Sequence, residues 1–184
     1  MMKKMKCSYC KVEMQRRHAT PDCPYSYKLS GLKSEMLTGI DVYTCPKCHV
    51  EMPIIPRAAE LQACIADRLV RKSGLLKGDE IRFLRKYAGL PAQNFARLIR
   101  ISPEHLSRIE NGHTDNLGKP TDMLIRALTL TAKQGGPEAR NRLLSIANDL
   151  ALPKSPKARA RHENVYVLRP RGWEQQRQSR QATG

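Results

Sequence analysis

The sequence predicts an α+β protein: a small β module, then an all-α domain, then a basic tail. Three observations carry this. Two C-x-x-C pairs bracket a segment of short β-forming runs near the N-terminus. From residue 57 to residue 150 the apolar residues recur at helical spacing. After Pro153 the composition turns basic.

The module spans residues 1–52. Tyr25–Leu29 and Ile40–Thr44 alternate or carry β-formers, and Gly31 and Gly39 punctuate the stretch between them. Pro53 and Pro56 bracket a break, and residues 53–77 read as a linker whose helix is expected at 57–72. There Leu61, Cys64, Ile65 and Leu69 mark one apolar face, which predicts a buried Cys64. Residues 78–151 follow as a helical domain, with helices expected at 79–88, 91–99, 102–111, 121–133 and 138–150. Asp79 is the expected cap of the first, Pro91 suits the first turn of the second, and Ser102-Pro103 opens the third. Residues 152–184 form the tail. Its Lys154, Lys157, Arg159, Arg161, Arg169, Arg171, Arg177 and Arg180 face only Glu163 and Glu174. Most of it is expected to be mobile, with one strand at Val165–Leu168.

Composition limits the function. The chain has 184 residues, with 33 Lys+Arg against 17 Asp+Glu and a formal charge of +16. Such a balance points to a polyanionic partner. No apolar run is long enough to span a membrane, and no apolar run follows the basic N-terminus as a secretory signal requires. A reducing, cytoplasmic setting is therefore expected for the six Cys, where metal binding is commoner than disulfides.

Cys7-x-x-Cys10 and Cys45-x-x-Cys48 each place two thiolates on one tight turn, the spacing of a tetrahedral zinc site. Four thiolates leave no open position, so Zn2+ here is expected to be structural and not catalytic. A redox C-x-x-C needs a thioredoxin-like βαβ setting, which is absent. Cys45-Pro46-Lys47-Cys48-His49 matches a haem attachment pattern, but that leaves Cys7 and Cys10 unexplained. An iron–sulfur cluster could use four Cys, yet zinc is the commoner occupant of paired knuckles. His49 reads as a surface neighbour of the site and Cys23 as a turn residue without assigned role. No H-E-x-x-H pattern suggests an enzyme.

The segment 90–112, LPAQNFARLIRISPEHLSRIENG, reads as two short helices joined by a tight turn, a unit that places one helix in the major groove of DNA. Leu106 and Ile109 anchor the second helix. Glu104, His105, Ser107, Arg108 and Asn111 then project outward. Arg108 can contact guanine bidentately, and Glu104 can accept from cytosine N4 or merely orient Arg108 one turn on. Asn111 and His113 can meet the phosphate backbone.

Residues 78–131 resemble the λ-repressor-like (XRE) helix-turn-helix family, through S-x-x-x-x-S-R-x-E-N-G. With the upstream knuckles and residues 27–48, the stretch 6–132 resembles MqsA-type antitoxins with a YgiT-type zinc finger. The resemblance implies a transcriptional repressor of a toxin–antitoxin system that binds a palindromic operator as a homodimer. It also implies a zinc module that neutralises a toxin, commonly an mRNA-cleaving ribonuclease. It places zinc on Cys7, Cys10, Cys45 and Cys48, base reading on Glu104 and Arg108, and the protein at the nucleoid. The alternative is a solitary regulator with no toxin partner. The chain departs from the family it resembles at Pro91 and Ala92, where a Ser/Thr cap and a phosphate-touching Gln are usual, and at Arg100, where Gly is usual; the resemblance therefore implies a positive φ for Arg100, where it can add a phosphate contact.

Overall fold

The computed structural model describes residues 5–114 and 117–150, and the backbone of 165–169 and 172–176. The architecture is mixed α+β, with six helices and small antiparallel sheets among the described residues. Residues up to 151 form one compact unit, and the C-terminal residues form a second.

A three-stranded sheet organises the N-terminal part: β1 (Gln15–His18), β4 (Asp41–Thr44) and β5 (Glu51–Ile54), in the order β1-β4-β5. The register sets His18 opposite Asp41 on one side and Asp41 opposite Ile54 on the other. β2 (Tyr25–Ser26) and β3 (Met36–Leu37) pair separately. The expected strand at Tyr25–Leu29 is thus cut short. Lys28–Ser30 turn into a 3-10 helix that ends at Gly31, whose φ of 79° suits only glycine well. Ser30 Oγ fixes that turn by donating to Tyr27 O and accepting from Leu32 N–H. β5 also runs through Pro53 instead of stopping before it. An edge strand tolerates a proline because one row of its N–H groups has no ladder partner.

Asp41 ties β1 to β4. Its carboxylate takes a hydrogen bond from His18 Nδ1 at 3.0 Å and an ion pair from Arg16 at 2.8 Å. These two contacts, His18 first, hold its pKa below the usual carboxylate range. The folded value lies under the unfolded one of about 3.9, so the stabilisation is present at neutral pH and fades as pH falls through the folded value. Asp41→Asn should therefore lower the urea midpoint at neutral pH. The gap to the wild type should close in acid, and a gap that persists there would contradict this account.

The six helices are α1 (Ala58–Arg71), α2 (Gly78–Tyr87), α3 (Ala92–Leu98), α4 (Pro103–Glu110), α5 (Lys119–Gln134) and α6 (Gly136–Asp149). All six lie within a residue or two of the sequence expectation. In α1 the inward stripe is Ile65, Ala66 and Leu69, with Leu61 packed beside it. Cys64 is exposed, contrary to expectation, because the stripe drifts toward Ala66 and leaves Cys64 at its margin. Lys77, not Asp79, is the N-cap of α2. Glu80 reaches back to accept the Lys77 N–H at 2.7 Å, and Asp79 sits one residue inside the helix. Only Gly135 separates α5 from α6. A Cβ there would lie 2.4 Å from that of Ala139, so the corner closes only around glycine.

One hydrophobic core joins the β module to the helices. Tyr25, Tyr27, Leu32, Ile40 and Val42 are continuous with Ile65, Leu69, Ile81, Leu84, Phe95, Leu106 and Ile125. A small second cluster, Cys7, Met14 and Cys45, surrounds the knuckles.

Two buried ionic clamps fix the helices. Glu110, 7 % exposed, is gripped bidentately by Arg85 at 2.6 and 2.9 Å and touched by Arg82 at 3.4 Å. Arg126 pairs with Asp122 at 2.7 Å and donates to the carbonyls of Leu69, Val70, Lys72 and Gly74. Asp122 also accepts the Leu76 N–H at 2.7 Å.

In the second unit, β6 (Val165–Arg169) pairs antiparallel with β7 (Gly172–Gln176). The expected strand at 165–168 is present, and its partner was not anticipated. The remaining tail expectations lie outside the described residues.

Candidate metal centre and exposed helix face

The four knuckle cysteines converge. Cys7, Cys10, Cys45 and Cys48 have sulfur atoms within 4.8 Å of one another, and Cys7 Sγ lies 3.6 Å from Cys48 Sγ. The two knuckles repeat one backbone design. In the first, Cys7 N–H donates to Val12 O at 2.9 Å and Lys11 N–H donates to Cys7 O at 3.0 Å. In the second, Cys45 N–H donates to Val50 O at 3.0 Å and His49 N–H donates to Cys45 O at 2.9 Å. The residue after the second cysteine is left-handed in both, Lys11 at φ 58° and His49 at φ 56°. That turn aims both thiols of a knuckle the same way. His49 is exposed beside the site, as expected.

The electrostatics are those of a cation site. Cys45 is lowered to about 7, chiefly because the Cys48 backbone N–H stabilises its thiolate. Cys10 is pushed up to about 12, first by its hydrogen bond with Cys48, then by burial and the charge of Cys48. Four thiols this close cannot all ionise on their own. A dication supplies the compensating charge, so the donor set fits a tetrahedral, sulfur-preferring metal ion.

The second candidate region is the outer face of α4. Ser102 caps the helix, its Oγ accepting the His105 N–H at 3.1 Å. Leu106 and Ile109 are 1 % exposed and anchor the helix to the core. Glu104, Ser107, Arg108 and Asn111 are exposed, and His105 is half-buried. No protein-family model and no curated protein sequence matches the chain. The site is therefore read from its own geometry.

Individual residues on that face differ in freedom. The Glu104 carboxyl is held below its ordinary value by its own backbone N–H and then by the Ser102 hydroxyl. It stays ionised and close to the helix start. No ion pair joins Glu104 to Arg108 among the described residues, so the orienting role considered for Glu104 finds no contact. Asn111 is committed inside the molecule. Its Oδ1 accepts from Arg82 at 2.6 Å, and its Nδ2 donates to Ser107 O and Oγ. Arg100 does adopt positive φ, 61°, and is exposed in the turn, while His113 is exposed beyond the helix.

The sequence reading missed the Arg85–Glu110 and Asp122–Arg126 clamps. The second leaves a trace: Asp122 and Arg126 fall at i and i+4 beside buried Ile125 and Thr129. Charges on an apolar stripe must be paired. No helix among the described residues is long and apolar enough to cross a membrane.

Proposed function

We propose that this protein is a sequence-specific DNA-binding regulator with a structural zinc module, in which α3 and α4 form a λ-repressor-like helix-turn-helix. One observation carries the reading. α4 begins at a capped serine, is pinned by two buried residues, and presents Glu104, Ser107 and Arg108 to solvent on a strongly basic chain. That is the arrangement of a helix that enters the major groove. Arg108 supplies the donors for guanine O6 and N7, and the ionised Glu104 accepts from cytosine N4. Arg100 and His113 are left to grip phosphate, since Asn111 is occupied by Arg82.

Cys7, Cys10, Cys45 and Cys48 would hold the zinc. A closed four-thiolate sphere has no position for water or substrate, so the ion supplies folding energy and no chemistry. The protein is accordingly read as a non-enzyme. A stripe of exposed Met123, Ala127 and Leu130 on α5, at i, i+4 and i+7, supports a homodimer. A dimer would read half-sites about 34 Å apart.

The test is Arg108→Ala. On a site selected from random duplexes, binding should weaken by about 1–3 kcal/mol, with relaxed preference at one base pair. Affinity for random DNA should barely change. Equal loss on both substrates would remove the base-reading role.

A second reading, an antitoxin whose N-terminal module binds a ribonuclease toxin, is favoured by the apolar surface of that module. Tyr9 is 81 % exposed, Leu29 74 % and Met36 59 %. Such side chains serve as anchors in protein interfaces. Co-purification of an adjacent gene product with the full chain, lost on Tyr9→Ser, would support it. A chain that acts alone is a solitary regulator.

A further inference from the structure

A cavity of about 400 Å³ opens where three segments meet: the loop 31–35 of the β module, the start of α2 and the end of α4. Its size is that of a small-molecule site, and such sites favour the seams between substructures. The seam is narrow on one side. A Cβ on Gly78 would overlap Ile109 O, so α2 and α4 touch through backbone there.

The charges around the cavity are unequally committed. Of its carboxylates, Glu35 is paired with Arg68 at 2.6 Å, Glu80 with Lys72 at 2.8 Å and Glu110 with Arg85 at 2.6 Å. Those three partners stand outside the lining, while Arg82, inside it, also touches Glu110 at 3.4 Å. Lys33, Lys77 and Arg82 then face Asp79 as the one carboxylate without a cationic partner among the described residues. Lys33 and Lys77 form no ion pair among the described residues, and they arise from different walls. Ser34 adds a hydroxyl donor beside Lys33. Lys33, Lys77 and the one positive charge left over where Arg82 and Arg85 share Glu110 outweigh Asp79, which suits a ligand carrying two negative charges.

We infer that this cavity binds a small organic dianion, a phosphate monoester or a dicarboxylate, bridged between Lys33 of the β module and Lys77 and Arg82 of α2. Charge-assisted hydrogen bonds from two ammonium groups and a guanidinium hold it. The ligand also competes for Arg82, whose present partners are Asn111 and Glu110 at the end of α4. Occupancy is thereby linked to the exit of that helix. The site goes beyond DNA reading and does not depend on it.

The experiment is calorimetric titration of the full-length, metal-loaded protein with inorganic phosphate, glycerol 3-phosphate and succinate, and with glycerol as the uncharged control. At least one anion should bind saturably at millimolar concentration or below, and glycerol should not. The double variant Lys33→Ala/Lys77→Ala, both exposed positions, should bind about tenfold more weakly or worse. Asp79→Asn should bind more tightly. On saturation the side-chain amide resonance of Asn111 should shift. No saturable binding by any of the three anions would overturn the site, as would binding that survives the double variant. None of these readouts involves DNA, so failure here and failure of the Arg108 test are separable.

Discussion

Replacing Arg126 with methionine is expected to destabilise the protein by about 3–5 kcal/mol, the scale for breaking a buried ion pair from one side. Arg126 is 8 % exposed and Asp122 6 %, so the carboxylate left behind would have no cation and little water. Four carbonyls would lose their donor at the same time. Of these, Leu69 O keeps the Lys72 N–H at 3.3 Å, while Val70 O lies in the last turn of α1, where carbonyls lack the usual helical partner. The clamp thus satisfies a helix end, fixes the turn 72–76 and joins α1 to α5 with one side chain. Urea unfolding measures the loss. The double variant Asp122→Leu/Arg126→Met should recover much of it, since no charge is then stranded. A single variant within about 0.5 kcal/mol of the wild type would show that the clamp is idle.

Removing the metal should have the other large effect. The purified chain should carry about one zinc ion, and Cys7→Ser should carry almost none, because three thiolates and a hydroxyl make a poor site. The cluster around the knuckles is small, with Cys7, Met14 and Cys45 as its buried members. It cannot close on hydrophobic burial alone, so a chelator should collapse the β1-β4-β5 sheet. The sheet's loss should reach the helices, because Ile40 and Val42 share their core. Metal retention should fall with falling pH, since protons compete for the same sulfurs. Cys10, pushed up to about 12 without a metal, gives up its proton to the ion least readily of the two thiols whose values are shifted far, and Cys45, lowered to about 7, most readily. Elemental analysis across a pH series checks the trend. A protein that keeps its sheet and its stability without metal would contradict the assignment.

The legible parts of the sequence were those with local causes. Helix positions followed from apolar spacing and from Ser102-Pro103, whose capping bond is made within four residues. The two knuckles were legible because C-x-x-C encodes a turn as well as its ligands. Arg100 was readable as left-handed only through the resemblance, because Gly usually stands at that turn. Cys64 was misread because it lies at the edge of an apolar stripe, and only packing against the β module decides which edge is covered. The Tyr25–Leu29 strand was overextended because Ser30 captures the backbone first. Asn111 was legible as exposed and not as occupied. Its partner Arg82 lies on another helix.

The sequence by itself determined the α+β order of elements, the four converging cysteines and the exposure of Glu104, Ser107, Arg108 and Asn111 on α4, though not the half-buried His105, because each depends on residues within a turn or on a repeated spacing. Tertiary structure alone decided that the β module and the helices share one core, that Glu110 and Arg126 act as clamps, and that a cavity lies at their seam. Those features join residues 25 to more than 50 positions apart. Their energies come from burial and charge pairing, which have no meaning until distant segments meet.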